Sequence, residues 1–146
     1  MRFTVLVVLV CLTLALGCNK KTSPAATLPA DVKMVADGAS VDLARGETAA
    51  LEKQKQGITF LSVASDNRCP EGVNCITAGE ASVVVALGGG APQTVKVEPD
   101  PKKITRLTIG ETTVEILRLD PYPRARVKTD PALIRLRVRL RSSARK

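Results

Sequence analysis

The sequence predicts an all-β fold: a small antiparallel β-sandwich of about seven short strands, in an immunoglobulin-like or barrel-like arrangement. Three observations carry this expectation. Short β-branched runs recur between turn signals. Ile134 to Arg141 alternates strictly between apolar residues and arginine. Only Thr48–Gln56 has the composition of a helix.

In chain order, the first expected strand is Ser40–Ala44, ended by Gly46. Thr48–Gln56 is bracketed by Gly46 and Gly57, which favours a strand plus loop over a helix. Ile58–Val63 alternates, with Ile58 and Phe60 expected on one face and Leu61 and Val63 on the other. Glu80–Leu87 is an apolar run stopped by Gly88-Gly89-Gly90. Thr94–Val97 follows. Ile104–Ile109 and Thr112–Leu119 flank Gly110-Glu111, which reads as a tight hairpin. Leu133–Arg141 is the last strand. Residues 31–146 are about the size of one domain.

The N-terminus points to the cell envelope. Arg2 precedes an apolar run from Phe3 to Gly17, the layout of a secretory signal peptide over residues 1–17. The run is short for a spanning helix. Ala15-Leu16-Gly17-Cys18 resembles a bacterial lipobox, with the usual Leu displaced by one position to Leu14. On that reading Cys18 carries a diacylglycerol and residues 18–30, polar and Pro-bearing, form a lipidated tether. Asn19 follows Cys18, where an Asp would signal inner-membrane retention, so the outer membrane facing the periplasm is expected.

Four cysteines are present, at 11, 18, 69 and 75. Cys11 leaves with the leader and Cys18 takes lipid. One pair remains, in a compartment where disulfides persist. The chain has no His, so two thiols alone make a poor zinc site. The spacing is not Cys-x-x-Cys, and Pro70 and Gly72 intervene. A structural disulfide, Cys69–Cys75, closing a short loop is expected. No metal and no cofactor is expected.

Around this loop the sequence is similar to a group of small bacterial envelope proteins and lipoproteins. In those, a strand runs into Asp-Ser-Arg-Cys-Pro, then a second Cys, then Trp-Ala-Gly. Here the residues are Asp66-Asn67-Arg68-Cys69-Pro70 and Cys75-Ile76-Thr77-Ala78-Gly79. Asn67 stands where Ser is usual and Thr77 where Trp is usual. The resemblance implies a small secreted β domain and supplies no catalytic residues. The stapled loop presents Asp66, Arg68, Glu71 and Asn74, which are candidate binding residues on a pre-ordered turn.

The net charge of +8 is concentrated at the C-terminus. Residues 118–146 hold ten Lys or Arg against two Asp, whereas residues 18–117 hold eleven against twelve acidic side chains. On a strand, Arg135, Arg137, Arg139 and Arg141 lie on one face, about 6.8 Å apart and spanning about 20 Å. Such a row suits a solvated sheet face paired with Glu115 or Glu98, and it blunts edge-to-edge aggregation. It also suits an anion-binding face for anionic lipid or cell-wall polymer. Another envelope protein is a further candidate partner. Nucleic acid is not expected, because stacking aromatics are lacking. Beyond the leader only Phe60 and Tyr122 are aromatic, which also counts against a sugar-binding module.

With no His and no free thiol, the usual catalytic triads are excluded. The expected function is a structural or binding role in a lipid-anchored envelope protein, not an enzyme. The alternative is a carboxylate-dependent hydrolase working through Asp66 and Glu71 of the stapled loop.

Overall fold

The computed structural model describes residues 31–143 apart from Lys55 and Pro101. The expected leader, the lipidation site Cys18, the tether to residue 30 and residues 144–146 lie outside the described residues. Nine strands form: β1 Val32–Val35, β2 Ser40–Leu43, β3 Thr48–Leu51, β4 Gly57–Asp66, β5 Ala81–Leu87, β6 Pro92–Val97, β7 Thr105–Ile109, β8 Thr112–Asp120 and β9 Arg135–Ser142. They make two sheets, ordered β1-β3-β4-β5-β6 and β2-β9-β8-β7. All pairings are antiparallel except β1 with β3. The two sheets pack as a sandwich and do not close into a barrel.

Seven expected strands are present, and Thr48–Gln56 resolves into a strand and a turn. β1 was not expected. Its short run, Val32-Lys33-Met34-Val35, lies parallel to β3, a partner set by the fold and not by a local turn.

The core forms where alternation turns apolar side chains inward. Val83 and Val85 of β5, Val114 and Ile116 of β8, and Leu136, Val138 and Leu140 of β9 are all buried. Phe60 is the aromatic member of this cluster. Its aliphatic character suits a thin inter-sheet layer filled by branched side chains.

Register shifts change which residues face the core, and a further one in β4 falls between Val63 and Ser65. In β4 the register shifts between Phe60 and Ser62, so Phe60 pairs Val85 and Val63 pairs Val83. Leu61 is the extra residue. Val63 therefore returns to the core face, correcting the expectation that it lies opposite Phe60. In β8 the shift falls between Ile116 and Arg118. Leu117 is the extra residue there. Arg118 consequently turns outward opposite Arg137, while Leu119 is buried.

β9 is an interior strand, between β2 and β8. Its arginines therefore do not guard a sheet edge, contrary to that part of the expectation. They stand in the middle of an outer face.

Candidate functional site

The register gathers charge on the outer face of the four-stranded sheet. Asp42 of β2 and Arg118 of β8 flank Arg137. Ser40 and Glu115 flank Arg139, and Arg106 of β7 lies beyond Glu115. Asp120 pairs Arg135, and Thr113 pairs Arg141. Six arginines (106, 118, 135, 137, 139 and 141) thus share the face with three carboxylates, Asp42, Glu115 and Asp120.

The carboxylates do not satisfy the arginines equally. Arg137 meets Asp42 with two bonds, Nε to Oδ1 at 2.6 Å and Nη2 to Oδ2 at 2.5 Å. This fork-on-carboxylate geometry is the strong form of the pair. The Arg137 bond holds the Asp42 carboxyl below its ordinary range; partial burial opposes it, and Arg118 and Lys33 add to it. Arg118 meets Asp120 at 2.7 Å. Glu115 is buried and serves three guanidinium groups: Arg106 at 3.1 Å, Arg139 at 3.5 Å and Arg141 at 3.6 Å. Arg135 bonds only main-chain carbonyls, of Ala132 at 2.7 Å and Ile134 at 2.9 Å. Among the described residues it has no ion-pair partner. The expected partner Glu115 is therefore present. Glu98 instead adds to the field at Lys96, on the other sheet.

The stapled loop is built differently. Cys69 and Cys75 are bonded, with Cα atoms 5.9 Å apart. β4 and β5 continue past their ends through the Asn67 N–H to Glu80 O at 2.9 Å and the Cys69 N–H to Ala78 O at 2.8 Å. Gly79 makes this possible. Its φ is +67°, and a Cβ there would run into the carbonyl of Asn67.

Arg68 turns inward from this loop. Its side chain is 4% exposed. It grips Asp66 with Nε to Oδ1 at 2.8 Å and Nη2 to Oδ2 at 2.6 Å. It also donates to the carbonyls of Leu119 at 2.7 Å and Pro121 at 3.3 Å, and it lies 4.8 Å from the Tyr122 ring centroid. Arg68 thereby ties the loop after β4 to the loop after β8. Of the four candidate loop residues only Arg68 is buried; Asp66 is at the surface but engaged by Arg68, and Glu71 and Asn74 are exposed. Glu71 in turn meets Arg124 at 3.2 Å, and its backbone bridges the β8–β9 loop through Pro123 and Ala125. Asp66 and Glu71, the two carboxylates of the hydrolase alternative, are thus each held by a guanidinium.

Sequence reasoning missed the connection between β8 and β9, residues 121–134. With the stapled loop it caps one end of the sandwich. It forms an open cleft of about 430 Å³ lined by Glu71, Tyr122, Arg124, Val127, Lys128 and Leu133, among others. A signal was available in its length: so long a connection is uncommon in a compact domain and marks a functional loop. No cluster of His, Cys, Asp and Glu able to hold a metal occurs among the described residues. No known protein family, curated protein or solved structure matches this chain.

Proposed function

We propose that the chain is a bacterial envelope lipoprotein, held at the outer membrane through Cys18, whose domain is a non-catalytic binding module for phosphate-bearing polyanions. One observation carries the binding role: six arginines around three carboxylates on one sheet face. The guanidinium groups at Glu115 and the side chain of Arg135 retain donors beyond those their partners use. A planar fork with spare N–H groups suits phosphate oxygens. The spacing along β9, about 6.8 Å, offers a chain-like ligand successive contacts. The anchor is supported by the leader and Ala15-Leu16-Gly17-Cys18, and tethering makes even a weak site effective through local concentration.

The test has two parts. Intact mass of the membrane-extracted protein reads the anchor: a chain starting at Cys18 with added acyl mass is expected. Binding of the full chain to inorganic polyphosphate in solution and to phosphatidylglycerol vesicles reads the partner. Binding that weakens steeply with salt is expected for polyphosphate, because exposed charges are screened beyond about 8 Å at physiological ionic strength. Binding to vesicles alone would assign the face to lipid head groups only where Arg135→Gln with Arg141→Gln weakens it, because the anchor alone holds the chain on a vesicle. Binding to neither would contradict the proposal.

A further inference from the structure

We propose that the loop-capped end of the sandwich is a second binding surface, one that seats on the head-group layer of an anionic bilayer. The inference rests on the lipid-anchor reading above, and three observations converge on it.

The first is where apolar side chains are exposed. Among the described residues five large hydrophobic side chains are exposed: Met34, Val73, Ile76, Val127 and Leu133. Four of them lie on the two loops of the cap, and Ile76 is fully in solvent. Single exposed apolar residues are ordinary, but a concentration at one end marks an interaction surface.

The second is charge. The same loop that carries Val127 and Leu133 presents exposed Arg126 and Lys128, and Arg124 paired with the exposed Glu71 of the stapled loop, with Asp130 its own exposed acidic residue. Asp130 is occupied in capping the short turn at Pro131–Leu133. Apolar tips ringed by cations fit a bilayer interface with anionic head groups, each nearby cation adding to the attraction.

The third is the path of the chain. β1 is parallel to β3, and β3 is antiparallel to β4, which ends at the cap. The backbone therefore enters β1 from the direction of the cap. Asp31 lies thirteen positions after Cys18, a stretch that can span at most about 45 Å. An anchor at Cys18 thus keeps the cap within reach of the lipid surface. With the cap down, the strands stand away from the membrane. The arginine face then looks sideways, clear of the lipid and open to polymer.

The loop framework is rigid enough for the role. The Cys69–Cys75 bond, the Arg68 bonds to Leu119 and Pro121, and the Glu71–Pro123 and Ala125–Glu71 backbone bonds lock the two loops together. Docking therefore needs little ordering of the tips.

The chain contains no Trp, so one introduced indole is a unique reporter. Ile76→Trp and Val127→Trp place it on the cap. Met34→Trp places it on β1 near the opposite end, level with Gly57 at the start of β4 across β3. Each full-length variant is reconstituted through its own lipid into vesicles of phosphatidylethanolamine and phosphatidylglycerol carrying brominated acyl chains. The indoles at 76 and 127 are expected to shift to the blue and lose emission, while the one at 34 does neither. Unquenched emission at both cap positions overturns the docking and leaves a protein partner as the occupant. Equal quenching on vesicles without phosphatidylglycerol overturns the anionic requirement. Intact mass of the same samples reads the anchor separately. A chain without acyl mass overturns the anchor, and the same quenching, on vesicles added to that chain, then decides the docking.

Discussion

Arg68 and the arginines of β9 stand at opposite extremes of how a guanidinium is held. Arg68 is buried, has a carboxylate to itself and donates its remaining bonds to two main-chain carbonyls. Arg139 is partly exposed, Arg141 is more than half exposed, and both share one carboxylate with Arg106. The first arrangement leaves nothing for a ligand and makes the side chain part of the architecture. The second leaves positive charge and free donors on a flat face. The difference teaches that an arginine beside a carboxylate is not thereby structural. What decides is how many guanidinium groups each carboxylate must serve, and how far water is excluded.

The largest expected effect sharpens the structural side of that contrast. Arg68→Ala removes the buried member of a pair and its contacts to Leu119, Pro121 and Tyr122. Truncating one partner of a buried ion pair typically costs about 3–5 kcal/mol. Thermal denaturation of Arg68→Ala should show a drop of that size, whereas Arg141→Ala should change stability by less than about 1 kcal/mol. Equal losses would break the comparison.

A smaller effect is expected from the staple. Replacing Cys69 and Cys75 together with Ser frees a loop of six residues' separation. The chain-entropy argument assigns about 2 kcal/mol to so short a closure. Chemical denaturation with and without reductant should give the same difference for the native chain and none for the double variant. Because Arg68 holds the same loop from inside, the domain should stay folded.

The smallest effect lies between the extremes, at Arg137 and Asp42. Both side chains are over a third exposed, so solvent screening keeps the pair below about 1 kcal/mol. The folded state lowers the Asp42 pKa from its ordinary 3.8. The pair's contribution is therefore complete above that value and is lost as pH falls through the lowered one. The stability gap between the native chain and Arg137→Gln should be constant from about pH 5 to 8 and should close below about pH 4. A gap that widens in acid would contradict the assignment.

Much of the fold was legible because period-two alternation and glycine turns are local signals. Ile134–Arg141 announced both its faces, and Glu115 was foreseeable as a cross-strand partner. The unforeseen features are all non-local. β1 forms only because β3 lies beside it, in parallel. The bulges at Leu61 and Leu117 depend on the register of neighbouring strands, and one of them delivers Arg118 to the charged face. Arg68 read as a surface loop residue because its acceptors, Leu119 and Pro121, lie more than fifty positions away. The clustering of Ile76 with Val127 and Leu133 at one end likewise required the sandwich itself.

The most direct test of the central claim separates surplus arginines from paired ones. Arg106→Gln, Arg135→Gln and Arg141→Gln are combined in one chain. This leaves Arg137–Asp42, Arg118–Asp120 and Arg139–Glu115 in place. Titration with inorganic polyphosphate should show the native chain's salt-sensitive binding reduced at least about tenfold, the equivalent of about 1.4 kcal/mol. The melting temperature should barely move. Unchanged binding in a folded triple variant would contradict the account and return the arginine face to the role of a solvated outer surface.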